Sequence, residues 1–330
     1  MKKVFLPLVG LLAGLLPAFA QMMPDSTVQV VAYWNVGDKY LYQVENIKSS
    51  IVHGDTTVVE KSAELLEFEV VSADEEKGYR VKVTSRDSQM SDPAKAAVKE
   101  KMIERFGNDV YFFETGPYGE FLRILPVEGP DGQSDALSEE ITDAILQQDT
   151  TGLDRNALLR MVRQMLQSEV LTASLAGEIS PLFAYHGSRL SLKDEYTFED
   201  AVPMPITGGM LKKMNGRFWV SQQWTDAYSV VIQMYKEADP EDAKRVITSF
   251  LDGMVKSLAG KNTTDIPSVE EVYKDARIEI EDFMLEEVHL DTGWPLEWHF
   301  TRRSQVEMEG KSQNQLMRRS FTMLFIDGQE

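Results

Sequence analysis

Apolar and polar residues alternate along the last forty residues of the chain. Two runs carry the pattern: Trp294, Leu296, Trp298 and Phe300 in the first, and Met317, Arg319, Phe321, Met323 and Phe325 in the second. A period of two places one row of side chains on a core face and the other toward solvent. A turn signal, Asp291–Gly293, precedes the first run, and Glu309–Ser312 is typical of a hairpin loop. Residues 288–326 are therefore predicted to form a long antiparallel hairpin around which the rest of the chain is organised.

Shorter runs of the same alternation occur throughout the chain. They are Tyr40–Val44, Leu66–Val70, Tyr79–Val83, Val110–Phe113, Phe121–Leu125, Arg217–Thr225, Tyr228–Tyr235 and Tyr273–Leu285. Turn residues separate neighbouring runs, which is typical of an antiparallel meander with one solvated face. Residues 21–30 are polar and are predicted to form an N-terminal arm.

Helical spacing of apolar residues interrupts the strands. Ser91-Asp92-Pro93 is a cap followed by a proline at the first helical position, and residues 135–148 and 154–175 are each predicted to be a helix. Helix 240–259 begins after a capping aspartate and has one wide apolar face. The pattern predicts an α+β fold with mostly antiparallel, curved sheets, half-barrel or sandwich-like, and helices packed on one side.

Four segments follow from this reading. They are a signal peptide at 1–20, an N-terminal β-rich half at 21–133, a helical insert at 134–187, and a C-terminal β-rich half at 188–330 that contains helix 240–259. Whether the two halves form one continuous sheet or two domains stays open at this point.

The first twenty residues have the features of a cleaved export signal. Lys2 and Lys3 precede an apolar run, Val4–Leu16, and Ala18-Phe19-Ala20 is a small-x-small cleavage site. We therefore expect a periplasmic or secreted protein. The chain has no cysteine, which excludes disulfides, a cysteine nucleophile and lipid attachment at a processed N-terminal cysteine. No transmembrane span is expected after cleavage.

The charge of the chain disfavours some partners. Removing residues 1–20 takes away Lys2 and Lys3 and no acidic residue, so the net charge changes from −19 to −21. An acidic surface repels nucleic-acid phosphates and anionic lipid.

Catalytic and metal-binding motifs are weak in this sequence. The histidines His289 and His299, with Glu286, Glu287 and Asp291, are one conceivable metal set, but they lack the spacing of known zinc motifs, and outward-facing polar residues are the simpler interpretation. Acid pairs such as Glu279 and Glu281 are compatible with glycoside hydrolysis or with a solvated acidic face. We predict no catalytic residues, no metal and no cofactor.

Aromatic residues are the main candidates for a binding site. Six are predicted to contact a ligand: Trp34, Tyr40, Tyr42, Trp219, Trp294 and Trp298. They are able to line a cavity for a lipophilic or sugar ligand, or simply to fill a β core. The predicted function is non-enzymatic binding of an apolar ligand or an envelope protein. The alternatives are a carboxylate-based hydrolase of envelope or glycan substrates and a structural scaffold.

Three passages resemble an uncharacterised family of exported proteins from Bacteroidota-type bacteria, a domain of unknown function. They are Val36–Tyr40, Gly119–Ile124 ahead of Leu137–Leu146, and Leu290–Pro295. The stretch Leu192–Tyr196 departs from the family's pattern, which often has a Gly-Asp-x-Trp-like strand start there. The resemblance implies a similar fold and export, and it carries no catalytic residues.

Overall fold

The computed structural model describes residues 22–23, 26–52, 55–93, 96, 99–101, 110–125, 134–148, 154–204, 209–224, 227–259, 273–308 and 311–324. The signal segment 1–20 and most of the predicted helix after Pro93 lie outside these residues. Most of the described chain is antiparallel strand with some helix, which confirms the β-rich part of the predicted fold.

Eleven strands form one large antiparallel sheet. Their bounds are β3 (Lys39–Val52), β4 (Asp55–Asp74), β5 (Gly78–Met90), β6 (Val110–Thr115), β7 (Phe121–Ile124), β9 (Glu195–Met204), β10 (Gly209–Trp224), β11 (Ser229–Ala238), β12 (Arg277–His289), β13 (Pro295–Met308) and β14 (Lys311–Leu324). The order across the sheet is β7-β6-β5-β4-β3-β14-β13-β12-β11-β10-β9. The predicted terminal hairpin is β13–β14, and it lies near the middle. Because β14 pairs with β3, strands from before and after the helical insert belong to one sheet.

Within the described ranges, a small sheet and four further helices have defined bounds. The small sheet contains β1 (Met22–Met23), β2 (Thr27–Gln29) and β8 (Arg189–Ser191), and the helices are α1 (Ser134–Gln148), α2 (Arg155–Met165), α3 (Ser168–Ile179) and α4 (Pro240–Ala259). The single helix predicted over 154–175 is wrong, since Gln167 has an extended backbone and separates α2 from α3. Leu158 and Val162 of α2 pack on α1, whereas α3 continues toward the sheet through a 3₁₀ turn, Ser180–Phe183. The two helices break because they pack against different neighbours.

The large sheet is strongly curved. Phe183 contacts Phe113 of β6, and Tyr185 contacts Phe218 of β10, with ring centroids 5.3 Å apart in both pairs. Eight interstrand steps separate β6 from β10, which amount to about 38 Å in a flat sheet. Side chains only two residues apart touch both strands, so the sheet must bend around them.

The concave side of the sheet is filled by two segments, residues 28–34 and 179–190, which we call the plug. Val28 and Val30 are almost completely buried in the same core cluster as Leu182 and Phe183. The predicted polar arm at 21–30 is therefore wrong. Val28 and Val30 are only two alternating apolar residues. Such a short pattern does not identify a core strand unless its partner strand, β8, is known.

Helix α4 lies on the same face of the sheet as the plug. Along β12 the even-numbered residues are buried, and Ile278 and Ile280 pack against Ala243 and Val246 of α4. Farther along the same row, Met284 and Val288 belong to the core cluster that contains the plug. We call this the inner face of the sheet and the opposite side its outer face.

Candidate functional site

Five of the six predicted aromatic residues lie together on the inner face. Trp34 stacks on Trp294 with centroids 4.4 Å apart, and Tyr40 lies at the same distance from Trp294. Tyr42 donates a hydrogen bond to the carbonyl of Pro295 at 2.7 Å. All but Tyr40 are fully or almost fully buried, so these rings fill the interior of the curved sheet.

Trp219 lies apart from the other five residues. Its neighbours on β10, Phe218 and Val220, are partly buried and pack against the core, so the side chain of Trp219 is on the outer face. The guanidinium of Arg217 lies 5.8 Å from its ring centroid. The structure therefore separates the predicted aromatic set into an inner group and one outer residue.

A carboxyl group is buried in the middle of the inner face. Glu286 of β12 has no solvent exposure, and neither of its oxygens has a hydrogen-bond partner among the described residues. Burial raises the pKa of this carboxyl well above its ordinary value of 4.5. Burial therefore favours the protonated form of Glu286, which has one O–H to donate.

Two further buried donors lie close to Glu286. Trp298 of β13 is its direct partner in the sheet, which places the two β-carbons about 5 Å apart. Arg319 of β14 is paired with Phe300, which lies two residues along β13 from Trp298 on the same face. The indole N–H of Trp298 and the Nε–H of Arg319 are buried without a partner in the described chain. Three unpartnered polar groups thus lie on three adjacent strands, within roughly 10–12 Å of one another.

The surroundings of these three groups are apolar on one side and ionic on the other. Met234 and Phe300 pack at the edge of the core cluster and are partly exposed. The next row of the inner face carries an ion pair, in which Arg302 makes two hydrogen bonds of 2.7 Å to the buried carboxylate of Asp282. Glu178 of α3 lies 3.1 Å from Arg319 and holds its guanidinium against the sheet. The contact with Glu178 thus holds Arg319 in place.

The arrangement favours a hydrogen-bond acceptor. Neutral Glu286, the indole of Trp298 and the Nε of Arg319 each have a proton to donate. A carboxylate or carbonyl oxygen has lone pairs for such donors, and an attached apolar chain suits the neighbouring methionine and phenylalanine side chains. The site is therefore chemically suited to an apolar molecule with an acceptor head group.

The structure gives other roles to the histidines of the conceivable metal set. His289 contacts the hydroxyl of Thr292 at 3.1 Å, and His299 contacts Glu297 at 3.2 Å. Within the described ranges, no group of three or more His, Cys, Asp or Glu side chains is placed to hold a metal ion.

Acidic side chains for the hydrolase alternative meet on the outer face. Glu281 is opposite Glu237 in the β11–β12 register. The hydroxyl of Tyr235 lies between the two carboxylates, donating to Glu281 at 2.8 Å and lying 3.3 Å from Glu237. Glu279 instead pairs with Arg277.

Glu286 was not recognised as a binding candidate from the sequence, although the alternation contained the signal. Ile278 and Ile280 mark the even positions of β12 as the core row, and the same parity places Asp282 and Glu286 inside. Asp282 has an arginine partner, whereas Glu286 is flanked by apolar neighbours. A charged residue at a core position of a strand is the pattern that indicates such a site.

No family model and no curated protein matches this chain. Among solved structures, it is similar to OprB of Pseudomonas putida at high pH, with 8% identity, a TM-score of 0.31, and coverage of 87% of this chain and 94% of that chain. A mutant porin of Rh. blastica has 7% identity, a TM-score of 0.21, and coverage of 87% and 100%. The outer membrane protein OmpT of Vibrio cholerae with loop L8 deleted has 6% identity, a TM-score of 0.19, and coverage of 88% and 100%. TM-scores below 0.5 assign neither fold nor function.

None of the helices in the described part of the chain combines the length and the apolar character needed to cross a membrane.

Proposed function

We propose that this chain is an exported cell-envelope protein that binds an apolar ligand through a hydrogen-bond-accepting head group. Export is supported by the signal-like pattern of residues 1–20, including the cleavage site at Ala18–Ala20. The resemblance to exported proteins of Bacteroidota-type bacteria points in the same direction. The proposed site is the inner face around Glu286.

One observation carries the proposal: on three adjacent strands, the carboxyl of Glu286, the indole N–H of Trp298 and the Nε–H of Arg319 are buried with no hydrogen-bond partner among the described residues. Leaving a buried donor or acceptor unsatisfied costs about 1–3 kcal/mol for each group. A ligand head group that accepts from Trp298 and Arg319 recovers part of this cost. The protein therefore has a reserve of binding free energy at this site.

The burial of the site favours a small molecule over an envelope protein. Glu286 and Trp298 lie beneath the surface of the inner face, where the surface of a partner protein does not reach. Met234 and Phe300 beside these residues are partly exposed, and we place the entry of a single acyl chain there. We therefore take a long-chain carboxylic acid as the model ligand.

Dodecanoate provides a direct test. The mature chain, residues 21–330, is delipidated and titrated with dodecanoate by isothermal titration calorimetry, with native mass spectrometry of the same sample. We expect one molecule bound per chain. Trp298→Phe removes the indole N–H and keeps an aromatic ring, so the affinity should fall about tenfold, the equivalent of one hydrogen bond.

Trp219→Phe is the matched control, because the same change is made on the outer face. It should leave dodecanoate binding unchanged. Absence of binding, or equal affinity of the two variants, would contradict the proposal and favour ordered water as the partner of the buried groups.

A further inference from the structure

A second concave site lies on the outer face of the sheet, across β9, β10 and β11. It is a shallow groove of about 650 Å³ that is largely open to solvent. Six residues supply its polar lining: Thr197, Glu199, Asn215, Arg217, Tyr235 and Glu237. Because the groove is open, it suits a chain molecule better than a ligand that needs an enclosed pocket.

The sheet register builds this groove from alternate residues of three strands. Thr197, Arg217 and Tyr235 form one row across β9–β11, and Glu199, Asn215 and Glu237 form the next. Alternation along the strands directs both rows away from the plug and α4. The groove is therefore independent of the site around Glu286.

Arg217 supplies the positive charge of the groove. Its guanidinium lies 5.8 Å from the ring centroid of Trp219 and 5.5 Å from that of Tyr235, distances typical of cation–π contacts. Glu195 lies 3.8 Å from the same group. The side chain is about half exposed, so its N–H donors are accessible to a ligand.

Tyr235 supplies a hydroxyl to the groove. Its hydroxyl donates to Glu281 at 2.8 Å and lies 3.3 Å from Glu237. Burial and the neighbouring Glu281 raise the pKa of this tyrosine above its ordinary value. Its hydroxyl stays protonated, and its oxygen lone pairs are available as acceptors.

The lining mixes three kinds of hydrogen-bonding group. Carboxylates of Glu199 and Glu237 only accept, and the guanidinium of Arg217 only donates. The hydroxyl and amide groups of the remaining three residues do both. A phosphate, which mainly accepts, is repelled by the carboxylates, and an ammonium group, which only donates, is repelled by Arg217. A neutral molecule whose every polar group both donates and accepts fits all of them.

We infer that the outer groove binds a neutral, hydroxyl-rich oligosaccharide chain. Sugar hydroxyls donate to Glu199 and Glu237 and accept from Arg217 and Asn215. The mixed lining, with the Arg217 guanidinium beside the carboxylates of Glu199 and Glu237, supports this assignment independently of the proposed apolar-ligand function.

Three soluble neutral hexasaccharides test the inference: cellohexaose, maltohexaose and the hexamer of N-acetylglucosamine. Each is titrated into the mature protein by isothermal titration calorimetry, with heparin as an anionic comparison. We expect at least one neutral hexasaccharide to bind with a dissociation constant below 1 mM, and heparin not to bind. Failure of all three to bind overturns the inference.

Arg217→Met and Glu237→Gln are the test variants, and each should weaken binding at least tenfold. Arg303→Met is the matched control, because Arg303 is also on the outer face, 3.7 Å from Glu281, but outside the groove. Equal binding by Arg217→Met, Glu237→Gln and the control overturns the inference. Unfolding temperatures confirm that each variant is folded.

Two readouts separate this inference from related ideas. Dodecanoate binding should be unchanged in Arg217→Met, because Arg217 is far from Glu286, on the opposite face of the sheet. A negative result for sugar binding therefore does not affect the assignment of the dodecanoate site. Mass spectrometry of the sugar after incubation should recover intact hexamer. Shortened products would overturn a purely binding site and assign a hydrolytic role to Glu237 and Glu281.

Discussion

Replacing Glu286 by glutamine should stabilise the protein in the absence of ligand. Glu286 is completely buried without a partner among the described residues, and burial raises its pKa well above 4.5. A raised pKa in the folded protein means that folding favours the neutral acid. The stability that this group contributes is therefore complete below pH 4.5 and is lost as the pH rises toward the pKa of the folded state.

The size of the effect follows from the pH interval. Each pH unit between 4.5 and the folded-state pKa lowers the free energy of unfolding of the wild type by about 1.4 kcal/mol. Glutamine does not titrate and has nearly the same volume, so Glu286→Gln avoids this loss. For a chain of this length, about 1.4 kcal/mol changes the unfolding temperature by about 2 °C.

Urea denaturation at pH 5, 6, 7 and 8, followed by tryptophan fluorescence, measures this difference. We expect the two proteins to have similar stability at pH 5, and the variant to be increasingly more stable at higher pH. Glu279→Gln is the control, because Glu279 is on the outer row of the same strand in a partly exposed ion pair with Arg277. A variant less stable than the wild type at pH 8 would refute the reasoning, since it would mean that the carboxyl is ionised and paired.

Two other predictions concern buried polar groups of the inner face. Burial lowers the pKa of His186 from 6.5 to about 4. The stability that His186 contributes is therefore complete above pH 6.5, and the free energy of unfolding falls by about 1.4 kcal/mol per pH unit between pH 6.5 and pH 4. An NMR titration of His186 with a midpoint above pH 6 would contradict this prediction. Asp282→Ala should destabilise the protein by about 3–5 kcal/mol in urea denaturation, because it leaves the largely buried Arg302 without its carboxylate. In the same measurement, the double variant Asp282→Leu/Arg302→Met should recover most of the lost stability.

The strands and the central hairpin were predictable because alternation is a local signal. Trp294 and Trp298 fall on the buried row of the terminal hairpin, and the hairpin pairs as expected. The β10–β11 hairpin is also where the sequence placed it. Each of these elements depends only on residues a few positions apart.

Features that depend on distant partners were not predictable from the sequence. Val28 and Val30 become core residues only because β2 pairs with β8, about 160 positions later. Trp219 has the same residue type as Trp298, but the register of β10 directs it outward. The break at Gln167 follows from where α2 and α3 pack. Composition does not distinguish these alternatives, because tertiary contacts decide them.

The pairing of β3 with β14 has a consequence for how the protein reaches its folded state. Leu41 is paired with Leu324, so the middle of the sheet closes a loop of nearly the whole described chain. Strands β3–β7 and β9–β14 are each able to pair locally, whereas the junction between them must wait for the last strand to be made. Loops of this length are costly to close, and high contact order slows folding. Until that step, each half exposes an unpaired strand edge, β3 in one and β14 in the other, so assembly of the β3–β14 seam is the stage at which this chain is most exposed to aggregation.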